Sequence, residues 1–180
     1  MTKFEENSKT MKNTSEFMLK AMRIVAWIVF IWMLVKAGAI IMSYGASVNN
    51  AEGAKDLYRG LDLSRYYEAS FFHYSVIVFY YIILYLLQAY IALFVTRLLS
   101  EQTLQHLFSN TVVGILHKIS ATALGVFLMG LLHNIHVEIL AKYAALPADS
   151  FSGEYIFLAG TIYVLAMLFK NSIHEKLSAQ

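Results

Sequence analysis

Apolar positions in this chain come in long unbroken blocks, not at the two-residue period of a half-buried strand or the stripe of a surface helix. Residues 1–23 are polar and read as a tail, whose end is mildly amphipathic through Phe17, Met18, Leu19 and Met22. Residues 24–44 are apolar apart from Lys36, and at about 1.5 Å per residue they match a hydrocarbon core of about 30 Å. The block 71–96 holds no Asp, Glu, Lys or Arg and is long enough to cross with tilt. A third block starts near Val112, is continuously apolar over 119–132, and then meets His133, Asn134, His136 and Glu138. The fourth, 155–169, is short for a span, but it extends through Phe151 and Ile173 while Lys170 snorkels to the interface. The pattern predicts an all-α fold, a transmembrane four-helix bundle in a single membrane domain over residues 1–180. Its spans fall at about 24–44, 71–96, 112–138 and 152–172.

The connections carry structure of their own. Between Arg97 and Lys118, the residues Leu104, Leu107 and Phe108 recur at helical spacing, which predicts a short helix on the membrane surface. Ser109 or Asn110 is placed to cap the third span. The connection 45–70 mixes acidic residues with Leu57, Tyr58, Leu61 and Leu63 and is expected to fold over the bundle mouth. Tyr44, Tyr66, Tyr67, Tyr74, Tyr143 and Tyr155 sit at block ends, where an interfacial aromatic belt is expected.

Charge sets the orientation. The N-terminal tail, the second connection and the C-terminal tail hold nine Lys and Arg, whereas the first and third connections hold only Lys55, Arg59, Arg65 and Lys142. The positive-inside rule then places both termini and the second connection in the cytoplasm. The first block exceeds a signal-peptide core and lacks a small-x-small cleavage site, so it reads as a retained span.

Composition agrees with this and narrows the chemistry. The chain is 58% hydrophobic and 14% charged, too apolar for an ordinary soluble domain. With no cysteine it has no disulfide or thiolate metal site. A net charge of +2 with dispersed basic residues leaves no nucleic-acid footprint, so no direct nucleic-acid binding is expected. No hydrolase triad, phosphate loop, HExxH pair or haem-attachment motif is present, and no catalytic residue is assigned.

The segment HLFSNTVVGILHKIS (residues 106–120) resembles the entry to the third helix of DUF2975, a bacterial family of small four-helix membrane proteins of unknown function. The closing segment IFLAGTIYVLAMLFKNSIHEKLSAQ resembles that family's last helix and short cytoplasmic exit, with Ala166, Phe169 and Lys170 at matching positions. Met167 stands where the family usually has an acid, and Ser172 where it usually has glycine. The resemblance implies a bacterial inner-membrane location. It also implies a cytoplasmic helix-turn-helix regulator as partner, which the membrane protein would sense, bind or sequester.

Candidate chemistry is confined to polar residues at membrane depth, where ionisable groups are costly. Lys36 either snorkels outward or forms an ion pair with Glu138. Gln88 reads first as an interhelical hydrogen-bonding residue. Gly114, Gly125, Gly130 and Gly160 allow close helix approach. His73, His133 and His136 come to similar depth at the outer mouth and form a candidate site for zinc or a small ligand; the alternative is an ordinary polar rim. Haem would need paired imidazoles, and the two nearest buried depth, His117 and His133, share one helix. Three functions follow: a non-enzymatic membrane regulator or sensor working through a partner, with Leu104, Leu107 and Phe108 as its partner face; a metal- or haem-binding redox subunit; and a small transporter or channel using Lys36, Gln88 and Glu138, formed as a homo-oligomer. The regulator reading leads, with the lipid bilayer as surroundings and no resident cofactor.

Overall fold

The structure is a computed structural model that describes the backbone of residues 3–100, 109–144 and 150–178 and the side chains of residues 16–100, 109–142 and 150–173. The chain folds into α1 (Lys3–Ser47), a 3₁₀ turn (Ala51–Ala54), α2 (Ser64–Ala69), α3 (Phe71–Leu98), α4 (Asn110–Ala144) and α5 (Tyr155–Ser178), with no strand among the described residues. Four helices are long and apolar enough to cross a membrane, over Glu16–Ser47, Phe71–Leu98, Asn110–Lys142 and Tyr155–Ile173. The last is 19 residues, roughly 28 Å at 1.5 Å per residue, and needs no added length to match a bilayer core. The polar segment from Lys3 is continuous with α1 instead of forming a separate tail. The expected surface helix with Leu104, Leu107 and Phe108 lies outside the described residues, as do His106 and the side chain of Tyr143.

The helices run up and down in sequence order, so both terminal segments leave from one end, the terminal end, and the connection 48–70 crowns the other, the loop end. α1 packs on α3, α3 on α4 and α4 on α5, while α1 and α5 make at most marginal contact. The four helices are therefore open along the seam between α1 and α5. Burial follows: 44% of the apolar window of α4 is inside, against 17% for α1 and 11% for α5. The edge helices face outward with Ile24, Ile28, Ile31, Phe157, Val164 and Leu168. Ser109 begins α4, its Oγ accepting the Val112 N–H at 3.4 Å, as the sequence pattern expects.

The loop end is held by its connection. Ala54, Leu57, Leu63 and Tyr66 are buried in one cluster with Ile40 of α1, Tyr74, Ile77 and Tyr81 of α3, and Val137 and Leu140 of α4. Tyr66 and Tyr74 are thus interior residues, not part of the aromatic belt expected at the surface, and Tyr44 and Tyr67 pack half-buried against them. Tyr67 packs edge-on to Tyr74 at 5.2 Å, the Ser47 and Tyr74 hydroxyls share a hydrogen bond of 2.6 Å, and the Tyr44 hydroxyl donates to Ser75 Oγ at 3.0 Å. Gly53 lets the 3₁₀ turn lie on the end of α1, because a Cβ there would stand 2.9 Å from the Ser47 nitrogen. Below it the connection turns at Tyr58–Leu61: the Leu61 N–H reaches the Tyr58 carbonyl at 3.1 Å, and Arg59 and Gly60 both have positive φ, 47° and 86°.

Candidate functional site

His73 is the third residue of α3, and the i, i+3 spacing of His133 and His136 sets both toward the same side of α4. His73 Nδ1 and His136 Nε2 lie 3.1 Å apart in a partly buried hydrogen bond, the tautomer deciding which donates. Two imidazoles on one zinc at about 2.0–2.1 Å would place their nitrogens only slightly farther apart. His133 does not join them. It is buried one turn deeper, boxed by Phe151 at 4.7 Å, Tyr81 at 5.5 Å and Tyr80 at 5.8 Å. No three His, Cys, Asp or Glu converge as metal ligands among the described residues.

Asn134 explains why His133 is enclosed. Its amide accepts the Phe151 N–H at 2.8 Å and donates to the Phe151 carbonyl at 3.0 Å. That pins the chain just before α5 against α4 and presses Phe151 over His133. Gly130 makes room, since a Cβ there would meet Phe151 Cβ at 3.3 Å. Of the four glycines expected to allow close helix approach, only this one has such a tight neighbour. Gly125 has an ordinary contact, and Gly114 and Gly160 face open space.

The Lys36–Glu138 ion pair is not formed. Glu138 projects into the open and binds Lys142 one turn on, at 3.0 Å. Lys36 does not snorkel outward either. Helical side chains lean toward the helix N-terminus, and its ammonium lies 5.9 Å from the centroid of Trp32, one turn back, and 5.1 Å from that of Tyr85 across on α3. The Arg59 guanidinium reaches the same ring, 4.8 Å from the Trp32 centroid. Tyr85 is the fifteenth of the 28 residues of α3, so Lys36 lies at mid-helix, and Arg59 shares the Trp32 ring with it. Neither has a carboxylate within ion-pair distance among the described residues. The nearby Asp56 uses its carboxylate to accept the Gly60 N–H at 2.8 Å.

Directly toward the terminal end, α1, α3 and the start of α5 enclose an apolar crevice of about 540 Å³, lined among others by Val25, Val29, Met33, Ala92 and Leu158. Gln88 lines it too. Instead of the expected interhelical bond, its amide has no hydrogen-bond partner among the described residues. His117 stands far from His133 along α4, its ring 5.5 Å from Tyr163, so the two do not form a haem pair.

Sequence reasoning named Lys36 and Gln88 but missed Arg59. The available signal was Arg59-Gly60 between Leu57 and Leu61, a left-handed turn flanked by residues that want burial. No family model, curated protein or solved structure matches the chain.

Proposed function

We propose that the chain is a multi-pass protein of the bacterial inner membrane with both termini in the cytoplasm, and that it works by binding, as a regulator or sensor acting through a protein partner. The apolar outer faces of α1 and α5 support the membrane setting, since exposed apolar surface on this scale is untenable in water. The nine-to-four distribution of Lys and Arg supports the orientation. One observation carries the sensor reading: α1 and α5, the two helices that bear the terminal segments, are separated by a crevice. Whatever fills it sets their separation, and that separation is available to a partner at the terminal end. The resemblance of residues 106–120 and of the last helix to the DUF2975 family makes a helix-turn-helix regulator the favoured partner.

Photocrosslinkers at Gln105 and His106 in intact cells test this. Protein adducts are the expected result, and adducts with lipid alone overturn it. Reporter fusions at Asn50 and Gln180 should report opposite sides of the membrane; agreement between them would contradict the topology.

A second reading rests on the 3.1 Å approach of His73 and His136, which would hold a divalent metal completed by water. Zinc titration of the protein against a His73→Ala, His136→Ala double variant decides it, equal weak uptake removing the metal.

A further inference from the structure

The crevice and the two cations lie along one stretch of α1, joined through Trp32. On α1, Val25, Val29, Trp32 and Lys36 follow at i, i+4, i+7 and i+11, a single stripe, with the first two lining the crevice and the last two following on the same face toward its loop-side end. On α3, Gln88 of the crevice stands one turn from Tyr85, over which the Lys36 ammonium lies. Arg59 is delivered to that end by the connection, through a turn in which a non-glycine residue holds φ at 47°. Such a backbone conformation persists where surrounding structure enforces it, and ligand clamps are among the places it occurs. Charged groups at this depth normally face a partner of opposite sign. Here both face rings, and the uncharged Gln88 amide faces the apolar space between the helices.

We propose that this feature is a binding site for an anionic amphiphile: a phosphate monoester or carboxylate held between Lys36 and Arg59, with its hydrocarbon tail along the crevice toward the terminal end. The two cations suit the headgroup chemically. Arginine offers a planar fork that matches the paired oxygens of a carboxylate or phosphate, and lysine adds a point charge. Both cations lie over the Trp32 ring, and Gln88 offers an amide to an ester or hydroxyl oxygen where headgroup meets chain. A volume of about 540 Å³ falls within the size range of small-molecule sites. A neutral lipid would fill the apolar part and leave the charges unanswered, and a second copy of the chain pressing an apolar face there would do the same. The inference rests on reading the chain as a membrane-embedded binding protein and names what it binds.

Trp27 and Trp32 are the only tryptophans, so a Trp27→Phe variant in neutral detergent micelles reports the site through Trp32 fluorescence. Dodecyl phosphate, dodecanoate and dodecanol are titrated at equal mole fraction in the micelle. A saturable change with either anion and none with dodecanol is expected, and whichever anion acts more strongly identifies the headgroup. Lys36→Gln with Arg59→Gln should weaken the response about tenfold or more, Lys36→Arg should keep it, and Lys55→Gln, on the same connection, should leave it unchanged. Unchanged helical circular dichroism checks that each variant is folded, and the single variants Lys36→Gln and Arg59→Gln, each expected to weaken the response, replace the double one if it is not.

Dodecanol acting like the anions, equal response from the double variant, or a dimer whose Trp32 ignores all three probes would each overturn the proposal. Crosslinking at Gln105 and His106 is read separately: protein adducts without anion binding sink only this inference, and anion binding without protein adducts sinks only the partner reading.

Discussion

The two ends of this set of helices solve opposite packing problems. At the loop end three helices and a 23-residue connection interlock: Tyr74 is fully buried, its hydroxyl is satisfied by Ser47, and Phe151 closes over His133. At the terminal end the same α1 and α3 are joined by α5, which leans on α4 through contacts such as Ser120 Oγ to the Ala159 carbonyl, 2.9 Å, and leaves α1 alone. The difference shows where each property resides. The loop end is a built core, in which change is costly. The crevice is a surface, in which change alters what binds and leaves the fold intact.

If that contrast holds, unfolding free energies in mixed micelles should separate the two regions. Tyr74→Ala removes a wholly buried ring and orphans Ser47, and should cost about 3–5 kcal/mol. Next comes Asn134→Leu, which takes both hydrogen bonds from the Phe151 backbone and should cost about 2–3 kcal/mol while loosening the start of α5. Gly53→Ala drives a Cβ against the backbone of Ser47, so an overpacking cost of about 1–3 kcal/mol is expected, measurable in the same way. Gln88→Leu should change stability by no more than about 0.5 kcal/mol, in either direction, because no protein bond is lost. A loss above 2 kcal/mol there would mean that the crevice is a closed core.

The smallest effect expected is at Asp62, whose carboxyl is held below the usual carboxylate range, first by the Ser64 side chain and then by the Ser64 N–H, which it accepts at 2.8 Å. A depressed carboxyl stabilises above its unfolded pKa, and its contribution is lost as pH falls through the lower folded value. Neutral conditions therefore keep the turn intact. Only strong acid should release it, seen as faster amide exchange at Ser64 that an Asp62→Asn variant shows already at neutral pH.

Hydropathy made the four long helices legible because a long apolar block has few alternatives to a membrane-length helix. It also placed Ser109 at the start of α4, since capping is local chemistry. What it left ambiguous was direction around the helix and depth of the connection. Depth alone matches Glu138 with Lys36, whereas azimuth points Glu138 to Lys142 and Lys36 to Trp32. Spacing sets His133 and His136 on one side of α4, but Phe151, fifteen residues beyond His136, decides which imidazole meets His73. Tyrosines at span ends look alike in sequence whether they meet headgroups or a folded connection. Residues 48–70 settle that in favour of the interior for Tyr66 and Tyr74, and no local pattern announces how far Arg59 descends.

The contrast between built core and open crevice is tested most directly by cysteine accessibility, which the absence of native cysteine makes clean. Leu57→Cys and Val29→Cys variants are exposed in micelles to a small apolar maleimide before and after denaturation. Leu57 is 1% exposed and Val29 39%. The expected result is a thiol at position 29 that the apolar maleimide, partitioning into the micelle, labels in the native protein, and a thiol at position 57 that reacts only after unfolding. Equal native reactivity at the two positions would contradict the account, because the connection would then not be packed into the loop end and would have no means of holding Arg59 beside Lys36.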